Sequence, residues 1–131
     1  VLIGSQPGAF NTVCYSEKIP ERNGINVTTV DFSEFLGIAN RMTGEEAEVR
    51  FKIEEIEASA NATQVPRESM VNMAKLGVIL SNWMIENALN ATAIQCWTTM
   101  QQNFGCKVCT MMSMMSEGFM PSACEGPYGE L

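Results

Sequence analysis

Glu125 is a lone carboxylate between Cys124 and Gly126, with no basic residue near it in sequence. At the end of a strand such a group is either a solvated acid or a candidate to ligate a divalent cation or accept a proton. Gln95 and Trp97 set an amide beside an indole, able either to contact a ligand or to pack against a covering helix. Gly4 and Gly8 bracket Gly4-Ser5-Gln6-Pro7-Gly8, a turn whose backbone N–H groups could face an anion. The spacing matches neither a Walker loop nor a dinucleotide fingerprint, so a plain tight turn is the favoured reading. Cys106 and Cys109 have a redox or zinc spacing, but within a strand two residues three apart point to opposite faces. The redox motif needs its first cysteine at a helix N-terminus. Met111, Met112, Met114 and Met115 are adaptable core fillers.

Composition narrows the chemistry further. The 131 residues suit one domain, 1–131, and 46% hydrophobic content is enough for a core. Eight Lys and Arg against fifteen Asp and Glu leave a net charge of −7, so no dense basic surface exists for nucleic acid. The absence of His removes Ser–His–Asp, Cys–His and His-ligated metal sites built by this chain alone. No apolar run approaches the roughly 18 to 20 residues of a membrane span, and no signal-like leader is expected from the opening residues. Five irregularly spaced cysteines do not form a disulfide framework. Reduced thiols in a cytoplasmic protein are expected. Asn26, Asn61 and Asn90 lie in Asn-x-Ser/Thr triplets, which chance explains. The opening Val1-Leu2-Ile3-Gly4 resembles mid-strand, which suggests a domain or fragment of a longer protein.

The elements that would position these residues alternate in type. A strand over Val1 to Ser5 is followed by a helical stretch over Asn11 to Asn23, stopped by Gly24. Ile25 to Phe32 is β-branched and alternating, and predicts a second strand. Thr43-Gly44-Glu45-Glu46 has capping-box spacing ahead of a helix with Val49, Ile53, Ile56 and Ala60 on one face. Pro66 suits the first turn of another helix, with Met70, Met73, Gly77, Leu80 and Met84 as its stripe. Leu76, Val78, Ile79 and Trp83 widen that stripe enough to bury the helix on more than one side. Short units follow: strands at Ala93–Trp97, Lys107–Met111 and Pro121–Gly126, with helical turns at Thr98–Phe104 and Ser113–Gly118. The alternation predicts a doubly wound α/β domain, a three-layer sandwich with a parallel sheet of about five strands in flavodoxin-like order. Ligands bind at the shared carboxyl edge of such a sheet. Ser5–Asn11, Gln95–Trp97, Met111–Ser113 and Glu125 are therefore expected on one rim.

Three segments together resemble a known family. They are Ala93-Ile94-Gln95-Cys96-Trp97, Cys109-Thr110-Met111-Met112-Ser113, and Gly118 through Pro121-Ser122-Ala123-Cys124-Glu125-Gly126. With the opening Gly4-Ser5-Gln6-Pro7-Gly8-Ala9-Phe10-Asn11 and with Asn23-Gly24-Ile25-Asn26-Val27, the progression is similar to the middle α/β domain of the L-fucose/L-arabinose isomerase superfamily, fucose isomerase-like branch. The resemblance implies metal-dependent aldose–ketose isomerisation with Mn2+, and Glu125 as both metal ligand and proton-transfer group. It also implies that a second acidic ligand and a His come from sequence beyond Glu125. Relatives commonly carry an acidic residue soon after this glutamate, where this chain has Gly126, Pro127 and Tyr128.

The primary expectation is thus an isomerase-like domain carrying part of a metal site, inactive alone, with Mn2+ absent or weakly held. A sugar is the substrate of the parent protein, with Gln95 and Trp97 as substrate contacts and a homo-oligomer as the assembly. A non-catalytic stand-alone α/β binding module is the alternative. A phosphate or nucleotide binder rests only on fold analogy and the Gly4–Gly8 loop.

Overall fold

A computed structural model of the chain describes residues 1–5, 16–96 and 98–124. Glu125, Trp97 and Gly8 lie outside the described residues, as does the first part of the helix expected over Asn11 to Asn23. Among the described residues the fold is α/β. The strands are β1 (Leu2–Ile3), β2 (Thr29–Val30), β3 (Thr92–Ile94) and β4 (Ser122–Cys124). The helices are α1 (Lys18–Arg22), α2 (Phe32–Arg41), α3 (Ala47–Ser59), α4 (Arg67–Glu86), α5 (Thr99–Asn103) and α6 (Cys109–Glu117). The sheet is wholly parallel, in the order β2-β1-β3-β4.

Short strands suffice because the sheet is covered on both sides. Successive side chains on a strand point to opposite faces, yet Leu2 and Ile3 are both buried, as are Thr92, Ala93 and Ile94. Ile3 and Ile94 are register partners and join the large apolar cluster made by α2 to α6. Leu2, Ala93 and Ala123, buried on the other face, lie outside that cluster.

Helix α4 is the central element of the helical layer. Its predicted stripe of Met70, Met73, Gly77, Leu80 and Met84 is buried, and so are Ala74, Leu76, Val78 and Ile79. α4 packs against α2, α3 and α6. Phe35 of α2 meets Trp83 of α4 edge to face, with ring centroids 5.1 Å apart. Polar side chains of α4 tie the neighbouring loops to it: Ser69 Oγ donates to the Gly105 carbonyl at 2.8 Å, Asn72 Nδ2 to Phe104 O at 2.9 Å, and Lys75 Nζ to Met42 O at 2.7 Å. α3 buries Val49, Ile53 and Ile56 as its spacing predicts, whereas Ala60, expected on the same face, is the exposed C-cap beyond the helix.

Two expectations are corrected. Lys107–Met111 is not a strand; α6 begins at Cys109 and runs through Glu117, so the described sheet has four strands rather than about five. Val108, Met111, Met112 and Met115 recur at helical spacing and are all buried. A run of apolar residues this short does not by itself distinguish strand from helix. Residues 111–113 consequently sit inside α6 and not on the strand-end rim. The second correction is α2 itself, where the sequence reading extended a strand to Phe32. Asp31 closes β2 and caps α2, its Oδ1 accepting the Ser33 N–H at 2.7 Å. The Asp31-x-x-Glu34 spacing was the signal for that helix start. No helix among the described residues is long and apolar enough to cross a membrane.

Candidate functional site

The strand order places a topological switch point between β1 and β3, because β1 connects onward to β2 on one side and β3 to β4 on the other. In open parallel sheets a crevice forms at the carboxyl ends of such a pair. Here it has a volume of about 290 Å³ and is lined by Gly4 and Ser5 after β1, Thr29 to Phe32 around the end of β2, and Gln95 after β3.

Backbone bonds hold the three strand ends level. Gly4 N–H donates to Val30 O at 2.9 Å, and Gln95 N–H donates to Ile3 O at 2.9 Å. The Gln95 side chain then folds across the end of β1. Its Oε1 accepts the Ser5 N–H at 2.9 Å and the Ser5 hydroxyl at 3.3 Å. A backbone donor on Oε1 fixes the amide orientation, so Nε2 carries the two N–H donors left for a ligand. The close approach depends on Gly4, which has φ +96°; a Cβ there would stand 2.7 Å from both Cβ and Oε1 of Gln95. Only glycine adopts that backbone readily, and only glycine leaves Gln95 room.

Among the described residues Asp31 is the one charged group lining the crevice. Hydrogen bonds from Ser33, through its side chain and then its backbone N–H, hold the Asp31 carboxyl below the usual carboxylate range. It is ionised at neutral pH and accepts hydrogen bonds without being a useful proton acceptor. This carboxylate also occupies the positive end of α2, where an anionic ligand would otherwise gain. The described crevice therefore suits neutral hydroxyl groups, with Asp31 as acceptor, Gln95 Nε2 as donor and Ser5 Oγ able to act as either. The buried ring of Phe32 supplies an apolar wall.

Of the residues predicted from sequence, Ser5 and Gln95 come together as expected. Met111 does not join them. Trp97 and Glu125, the other expected substrate contact and the expected metal ligand and catalytic glutamate, lie outside the described residues. Among the described residues no cluster of three or more Cys, Asp or Glu forms a metal cage. Asp31 and Phe32 were missed because the chain was read as strand up to Phe32.

The Cys106–Cys109 spacing does not follow the redox pattern, though for a different reason from the strand geometry its sequence suggested: the second cysteine, not the first, opens the helix. Cys109 is the exposed first residue of α6, and Cys106 lies before the helix, buried. Burial pushes the Cys106 thiol up to about 11, which keeps it protonated and unreactive near neutral pH.

Compared with protein-family models and with curated proteins, the chain matches none.

Proposed function

We propose that this chain is a flavodoxin-like, three-layer domain of a sugar-isomerase-like protein, binding a small hydroxylated ligand at its strand-end crevice and inactive alone. The observation that carries the reading is the Ser5–Gln95 bridge across the β1–β3 switch point, with Asp31 facing the same crevice. The order β2-β1-β3-β4 supports the flavodoxin-like arrangement. By its resemblance, Glu125 contributes one ligand to a divalent ion such as Mn2+, which would polarise the oxygens of an open-chain sugar during proton transfer between neighbouring carbons. One carboxylate makes a weak site, since tight binding recruits several ligands.

The purified chain is titrated with L-fucose and L-arabinose while the amide resonances of Gly4, Ser5 and Gln95 are followed. Saturable shifts in the millimolar range, abolished in Gln95→Ala, are expected. Mn2+ is expected to broaden signals weakly and less so in Glu125→Gln, with no isomerase turnover in either protein. Sugar binding without any Glu125-dependent Mn2+ effect favours the non-catalytic module. Absence of sugar binding overturns the proposal, and turnover by the isolated chain overturns its inactivity.

A further inference from the structure

A second cavity, sharing no residue with the strand-end crevice, opens among α3, α4 and α6. Its volume is about 350 Å³, at the lower end of the roughly 300–1,000 Å³ typical of small-molecule sites. Met111, Met114 and Met115 of α6 line it together with Met120. α4 contributes Gly77 and Ser81, and α3 contributes Lys52 and Glu55. Gly77 lets the helices close in: its Cβ, if present, would stand 3.0 Å from Met111 Cγ and 3.4 Å from its Sδ.

Two oxygens in this cavity are buried without a hydrogen-bond partner among the described residues, Ser81 Oγ and Glu55 Oε2. A serine inside a helix ordinarily bonds back to the carbonyl four residues earlier or turns to solvent, and Ser81 does neither. Glu55 Oε2 lies 2.6 Å from Lys52 Nζ, so its charge is balanced, but the contact lacks hydrogen-bond alignment. A buried polar atom left unpaired is costly, and Ser81 Oγ at the cavity wall points to an absent partner.

The wall also selects by charge. Among the described residues Glu55 and Glu117 line the wall with one cation, Lys52, and the carbonyl end of α6 at Glu117 adds further negative potential. Carboxylates and phosphates are disfavoured, whereas a donor cation is welcome. Methionine thioethers make favourable contacts with aromatic ring edges and adapt to irregular shapes. We infer that the α3–α4–α6 cavity is a binding site for a small aromatic amine, its ring among the four methionines and its ammonium donating to Glu55 and Ser81.

The test uses the whole chain carrying methyl-13C methionine, with phenethylamine as the probe and phenylacetate as its counterpart of opposite charge. Phenethylamine is expected to shift the methyl signals of Met111, Met114, Met115 and Met120 saturably, leaving those of Met42 and Met70 in place. Phenylacetate is expected to bind at least about tenfold more weakly, and Ser81→Ala to lose about fivefold to tenfold in affinity for the amine. Glu55→Gln supplies the same comparison should Ser81→Ala not fold. Equal binding of the two probes, shifts spread over all methionines, no shift at all, or full affinity in the variant that folds would each overturn the inference.

Discussion

Gly4 controls both the backbone and the crevice at the end of β1. Its positive φ and the 2.7 Å approach to Gln95 oppose any side chain at that position. Gly4→Ala is expected to destabilise the fold by about 1–3 kcal/mol, the scale of a residue forced into a disfavoured backbone region. It also displaces the Gln95 amide from Ser5. Urea denaturation reports the first effect and loss of the Ser5 and Gln95 shift response reports the second. An unchanged midpoint with intact sugar response would show that Gln95 does not need Gly4. Such positions are hard to identify from one sequence, because a glycine looks alike whether it makes a turn or makes room. Asp31 shows the converse: its helix-capping role was legible in the Asp31-x-x-Glu34 spacing, but its place beside Ser5 and Gln95 depends on β2 pairing with β1.

At the scale of elements, the start of α3 shows how a motif can be correct in chemistry and displaced in position. The Glu46 carboxylate oxygens accept the Thr43 and Gly44 N–H groups, each at 2.8 Å, while Thr43 Oγ1 accepts the N–H of Glu45, not of Glu46, at 3.1 Å. These bonds close the turn before the helix rather than its first turn, since Glu46 is the N-cap of α3. The turn requires Gly44 at φ +92°, where a Cβ would lie 2.7 Å from Val71 Cγ1. Hydrogen bonds from the Glu46 backbone and then from Thr43 hold the Glu46 carboxyl down to about 2. A carboxyl depressed in the folded state stabilises above its unfolded value of about 4.5, and that contribution is lost as pH falls through about 2. Glu46→Gln is therefore expected to melt below the parent chain at pH 7, with the gap narrowing as pH drops from about 4.5 toward 2. Thermal melts across that range check it; a gap independent of pH would mean that the Glu46 charge contributes nothing.

For the molecule as a whole, exposed apolar side chains bear on assembly. Phe119 is 94% exposed and held at φ +61°, while Ile85 and Phe51 are 69% and 61% exposed. Apolar surface of this kind favours association where it is contiguous, and the chain is expected to form a dimer or larger species. Light scattering at high concentration reads the mass directly, and Phe119→Ser is expected to shift it toward monomer; a monomer throughout refutes the expectation. What the sequence by itself determined about this protein is periodic. The buried stripe of α4, the apolar face of α3, the Gly105 stop and the parallel α/β class all follow from spacing that any fold must respect. What only the tertiary structure decided is non-local. Residues 109–111 became helix because α6 packs its Val108, Met111, Met112 and Met115 face into the core around α4, a contact no short window contains. The two cavities arise likewise from separate elements brought side by side: Ser5 and Gln95 are 90 residues apart, and Ser81, Met111 and Glu55 line one cavity from three different helices. Periodicity assigns a residue to a face, but which faces meet is settled by how the whole chain buries its apolar surface.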